Sequence, residues 1–160
     1  MKKSILYIII FLLSLGCYTG CSFLDENPVD RLVEGNFYTN EKDAQAAVDA
    51  TYTQLNDLYN RLMYMLCELP TDNMKNGLGM PNAFLQDLEY LRHTSENTFV
   101  KDMWKHSYAG ISKANTAIEK IPDIDMNATK QARFIGEAKF LRGLYYFNLV
   151  RFFWRCTSDY

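Results

Sequence analysis

The cysteines nearest the start of this chain stand in a setting for acylation. Cys17 follows Ser14-Leu15-Gly16 and Cys21 follows Tyr18-Thr19-Gly20. Ahead of both lie a basic start, Lys2 and Lys3, and an apolar run from Ile5 to Leu15. At about 1.5 Å per residue that run is too short for a hydrocarbon layer roughly 30 Å thick. It reads as the core of a secretory signal. A cysteine directly after the cut is the acceptor of a thioether-linked diacylglycerol in bacterial lipoproteins. Buried acyl chains contribute about 0.8 kcal/mol per CH₂, enough for several of them to hold a protein to a membrane without crossing it. Cys17 sits directly behind the apolar run, and Cys21 leads into the acidic stretch Ser22 to Asn27. Neither matches the usual cleavage box, and the residues alone leave both open.

A second group of chemical interest lies between Thr71 and Thr98. Asp72, Asn73, Asn76 and Asn82 offer groups that bond hydroxyls, and Phe84 and Tyr90 offer aromatic faces. Saccharide recognition needs that pairing, because a sugar ring has hydroxyls at its rim and an apolar face. The competing reading is local: Asn and Asp satisfy their own backbone in turns.

Other reactive types carry less. His93 and His106 have no nucleophile or metal partner at suggestive spacing. Glu137 and Arg142 read as structural ion pairing, with Arg133 four residues before Glu137 as a local partner. Trp104 and Tyr108 can stack on a sugar, but at i and i+4 on an apolar stripe they read as core. Cys67 and Cys156 can pair in an oxidising compartment, although two cysteines make no disulfide framework, and Cys67 reads as a small buried hydrophobe. No zinc spacing, P-loop or dinucleotide fingerprint is present, and no carboxylate pair suggests glycosidic chemistry. The formal charge of −2 gives no reason to expect nucleic acid. These features predict no enzyme, no metal and no cofactor.

The elements that must position these groups are helical. Thr39 and Asn40 suit an N-cap, and Glu41 and Asp43 suit the positive end of a helix. Ala44, Val48, Thr51, Leu55, Leu58, Leu62 and Met65 recur at three and four, predicting a helix that ends near Leu69-Pro70. A second helix is predicted from Phe99 to Ile121 on the stripe Val100, Trp104, Tyr108, Ile111, Asn115 and Ile118, stopped by Pro122. A third runs from Asn127 to Phe153, with Phe134, Ala138, Leu141, Tyr145, Leu149 and Phe152 on one face. Ile135, Tyr146 and Phe153 widen that face, so cover on more than one side is expected. Asn127-Ala128-Thr129 matches a glycosylation sequon and is read as the start of that helix. The short link from Pro122 to Met126 makes the last two helices antiparallel neighbours. Phe84 to Leu91 is read as a short helix in an otherwise irregular stretch, and nothing reads as a strand.

Three segments together resemble the SusD/RagB family of outer-membrane nutrient-binding lipoproteins. They are Cys21 to Pro28, Phe37-Tyr38-Thr39-Asn40-Glu41-Lys42-Asp43-Ala44 with Ala46-Ala47-Val48, and Glu137 to Phe153. Trp104, Tyr108, Gly110, Ile111, Ala114, Asn115 and Ile118 to Pro122 are similar to the family's second helix. The resemblance implies an all-α fold of tetratricopeptide-like helical hairpins, a SusD-like α-α superhelix. It favours Cys21 over Cys17 as the acylated residue. It also implies a surface position over a SusC-like TonB-dependent transporter and capture of oligosaccharides or other nutrients, partly through the Thr71–Thr98 region.

The chain departs from the family after Phe153, where a Gly-Asp-x-Pro-like turn gives way to Trp154 to Tyr160. The expected organisation is a signal peptide over 1–20, an extended tether over 21–38, a helical domain over 39–154, and an atypical tail over 155–160 that reads as a truncation or frame change. The expected function is non-enzymatic glycan binding at the outer membrane through a lipid anchor. The alternative is a helical-repeat interaction scaffold in the envelope without a small ligand.

Overall fold

The computed structural model describes residues 37–77 and 82–153. Every regular element within them is helical. Helix α1 (Glu41–Asp57) passes through a π-helical turn (Leu58–Leu62) into α2 (Met63–Glu68). The short α3 (Ala83–Glu89) follows, then α4 (Thr98–Lys120), a 3₁₀ turn (Ile121–Asp123) and α5 (Ala128–Phe153).

Side-chain caps set the helix starts. Asn40 Oδ1 accepts from the backbone N–H groups of Lys42 and Asp43, at 2.9 and 3.2 Å. Asp43 Oδ2 reaches back to accept from the Thr39 N–H at 2.9 Å and the Thr39 hydroxyl at 2.8 Å. These bonds favour the ionised carboxylate, led by the Thr39 backbone, and hold Asp43 below the ordinary carboxylate range. The sequon residue Asn127 is likewise a cap, accepting from the N–H groups of Thr129 and Lys130 at 3.0 and 3.2 Å.

The three long helices pack on one another. Thr53 meets Lys113, Asp57 meets His106, and Arg61 lies over the Phe99 ring, so α1 and α4 run antiparallel. Asn115 bonds Arg142 and Trp104 meets Phe153, so α4 and α5 also run antiparallel, as the short link requires. Glu41 pairs with Lys130 and Tyr59 bonds Asn148, so α1 and α5 are parallel.

One end of the core is built on small side chains, with Ala44, Ala47, Ala117 and Ala138 around Val48, Ile121, Ile124 and Phe134. The other end is built on large ones, including Leu58, Leu62, Met103, Leu141, Tyr145 and Leu149. Between them sits a close junction of three helices. Tyr145 is 0% exposed, and its hydroxyl donates to the Thr51 carbonyl at 2.6 Å. Its ring lies against Gly110, where an added Cβ would stand 2.4 Å from Tyr145 Cζ. One phenol therefore joins α1, α4 and α5.

The structure corrects three expectations. The buried face of α4 is Phe99, Met103, Ser107, Gly110, Ile111, Ala114 and Ala117, offset by about one position from the predicted stripe. Trp104 is 40% exposed. Small residues win the core because Tyr145 needs the space above Gly110. Second, α5 is buried on one side only among the described residues: Ile135, Tyr146 and Phe153 are partly buried, while Phe140, Phe147 and Val150 are exposed. Third, Cys67 is partly buried rather than core, with Sγ 3.7 Å from Met63 Sδ. Cys17, Cys21 and Cys156 lie outside the described residues.

Candidate functional site

The 71–98 segment is fixed at its α3 end and at its return to α4. Asn82 caps α3, its side-chain oxygen accepting from Phe84 N–H at 3.0 Å. The buried Asn97 caps α4 and donates through Nδ2 to the Phe84 carbonyl at 2.8 Å. The Asn76 N–H donates to Glu89 at 3.2 Å, drawing the first part of the segment to the end of α3. The C-terminus of α3 closes with paired bonds, Arg92 N–H to Asp87 carbonyl and Leu91 N–H to Leu88 carbonyl. That is a Schellman closure, with Leu91 at φ 55° where glycine is usual.

The six residues singled out from sequence divide between these roles. Asn82 is committed to capping through its oxygen, and the Asn73 N–H bonds the Thr71 hydroxyl. Asp72 and Asn73 are exposed, and Asn76 is half-buried. Phe84 is 39% exposed and Tyr90 61% exposed, the latter with the Arg92 guanidinium 5.0 Å from its ring centre. The hydrogen bonds tie Asn76 to the helix end that carries Tyr90, while no bond joins Asp72 or Asn73 to Asn82 or Phe84. The bond to Glu89 therefore draws Asn76 to the end of α3 that carries Tyr90, and Asn82 meets Phe84 through its cap.

A groove that the sequence reading missed runs along α4. It has a volume of about 480 Å³ and is lined by Trp104, Tyr108, Ile111, Ser112, Asn115, Thr116 and Glu119. Trp104 and Tyr108 meet at 4.7 Å between ring centres and 41° between planes, and Phe153 braces the indole edge-on at 5.1 Å. Arg142 donates to Asn115 Oδ1 at 2.9 Å and fixes that amide. The legible signal was polar residues continuing the Trp104–Tyr108 spacing down one helix face. It was hidden by assigning both rings to the core.

A second hollow lies over the π turn between α1 and α4, lined by Asn56, Asp57, Asn60, Arg61, Leu62, Asp102 and His106. His106 Nδ1 stands 3.0 Å from Gln54 Oε1 and 3.3 Å from Asp57 Oδ2, which clasps the two helices. Glu137 pairs with Arg133 at 3.3 Å, a local contact within α5. Among the described residues, no group of three or more His, Cys, Asp or Glu is placed to hold a metal ion. No described helix is long and apolar enough to cross a membrane.

Comparison with known proteins agrees with the helical arrangement. A SusD-like family described as "Starch-binding associating with outer membrane" matches residues 22–159. The chain is similar to SusD-like protein P38 of Formosa agariphila, at 32% identity over 93% of this chain and 29% of the relative. It is also similar to SusD-like protein P2 of the same organism, at 30% identity over 96% of this chain and 30% of the relative. The chain thus spans less than a third of the length of these two curated relatives. No solved structure matches it significantly. Because the family match takes in all the described helices, the chain belongs to the SusD-like family.

Proposed function

We propose that this chain serves a lipoprotein of the bacterial outer membrane that binds oligosaccharide or polysaccharide nutrients and passes them to a SusC-like TonB-dependent transporter. The observation that carries the reading is the family match over residues 22–159, whose description joins starch binding to the outer membrane. The proposed anchor is an acylated Cys21, with Cys17 as the alternative, following a signal peptide over 1–20 and leading into a tether over 21–38. The protein faces the exterior and does no catalysis. Asp72, Asn73, Asn76, Asn82, Phe84 and Tyr90 are its proposed saccharide contacts. Of these, exposed Tyr90, which follows the Glu89 that tethers Asn76, has the strongest geometric support.

Two measurements test this. Mass spectrometry of the processed chain should find a diacylglyceryl Cys21 at the new terminus, with processing blocked by globomycin. An unacylated terminus removes the anchor. In native gels containing soluble polysaccharides, the whole chain should be retarded, and Tyr90→Ala should weaken the retardation. Equal mobility in every gel removes the ligand. A second reading, an envelope scaffold without a small ligand, is favoured by the exposed apolar side chains of Phe140, Phe147 and Val150 on α5. It expects a protein partner in pull-downs and no retardation.

A further inference from the structure

We infer that the groove along α4 is a binding track for a linear oligosaccharide, separate from the 71–98 segment. The inference rests on the glycan-binding reading above and adds where on this chain a sugar chain lies. Its groups are Trp104, Tyr108, Ser112, Asn115, Thr116 and Glu119. Trp104, Tyr108, Ser112, Asn115 and Glu119 recur every three to four residues, with Thr116 next to Asn115, so successive levels stand about one 5.4 Å turn apart. From Trp104 to Glu119 the track is about 22 Å long at about 1.5 Å per residue. A ligand made of similar units joined end to end fits that repetition. A compact ligand does not use its length.

The chemistry is ordered along the track. At one end the indole of Trp104, 40% exposed, is held in place by its contacts with Tyr108 and with Phe153, the latter edge-on. A ring braced in this way presents an apolar surface at little further loss of freedom. It suits the C–H face of a pyranose. Further along, the groups are hydroxyl, amide and carboxylate. Asn115 uses its oxygen on Arg142, and its Nδ2 protons suit a sugar hydroxyl oxygen. Thr116 donates its proton to the Ser112 carbonyl at 3.1 Å, so its oxygen is left to accept. Glu119 accepts from hydroxyl donors, and Ser112 both donates and accepts. A helix docked on this face would strand most of these groups against apolar side chains. A polyhydroxylated chain pairs with each of them.

The test uses the whole chain in detergent with Trp154→Phe, which leaves Trp104 as the only tryptophan. Maltohexaose, cellohexaose, xylohexaose and laminarihexaose are titrated, with the matching disaccharides. The inference expects a saturable change in Trp104 fluorescence with at least one hexasaccharide, and affinity at least ten-fold weaker for its disaccharide. Ser112 is exposed, so Ser112→Arg fills the groove without disturbing the core and should weaken binding at least ten-fold. Tyr90→Ala should leave the Trp104 signal in place. If gels show glycan binding but the fluorescence is silent and Ser112→Arg binds normally, the track is wrong while the glycan-binding reading stands. If neither gels nor titration detect any saccharide, both fall together.

Discussion

At the scale of single residues, Gly110 and Tyr145 decide how closely the long helices approach. The Gly110 position has no room for a methyl group, because the Tyr145 ring already fills the place of a Cβ. Gly110→Ala should therefore lower stability by about 3 kcal/mol through overpacking, read as a lower midpoint in urea. Gly143 on α5 has nothing within 4 Å of an added Cβ. Gly143→Ala should raise stability by about 0.8 kcal/mol, the difference in helix propensity. If the two substitutions behave alike, the close approach at Gly110 is not what constrains the fold. Tyr145 also sets a pH dependence. Burial, with a smaller contribution from Tyr59, pushes its hydroxyl well above the usual 10.0. The unfolded chain then releases this proton first, and its contribution to stability is complete below pH 10.0 and declines as pH rises above that value. Tyr145→Phe should cost about 1 kcal/mol at neutral pH for the lost bond to Thr51. It should also flatten the alkaline fall in melting temperature.

At the scale of elements, the caps and the turn after α3 carry the clearest consequences. Leu91 holds a left-handed conformation that costs a branched residue about 1 kcal/mol, and its side chain is 68% exposed, so little packing offsets that strain. Leu91→Gly should raise the melting temperature, and a drop would show that exposed Leu91 makes contacts worth more than the strain. Most of this level was legible from sequence. Asn40, Asn82, Asn127 and Pro122 mark helix boundaries by chemistry that is local to the chain. The π turn at Leu58–Leu62 was not legible, because its apolar spacing matches an uninterrupted α-helix. The face of α4 was misread for a related reason. Periodicity favoured the bulky Trp104, Tyr108 and Ile118, whereas the core is chosen by fit against α5, and fit favours Gly110, Ala114 and Ala117. The saccharide candidates of the 71–98 segment were recognisable by type. Whether they converge depends on loop geometry, which residue types do not encode.

At the scale of the whole molecule, the packing of α1, α4 and α5 buries one side of α5 and leaves Phe140, Phe147 and Val150 in solvent at 69%, 56% and 50% exposure. Apolar side chains at that spacing form a strip that favours association. Phe147→Lys should change stability by no more than about 0.5 kcal/mol, since the residue is outside the core. It should reduce self-association in sedimentation velocity at high concentration. Unchanged sedimentation would mean that Arg151, 5.3 Å from the centre of the Phe147 ring, already shields the strip. The phenol that joins α1, α4 and α5 has one more use. Its ultraviolet difference spectrum is an internal gauge of assembly: a chain whose helices form but fail to dock would release the Tyr145 proton at its ordinary value, while a docked one would hold it back.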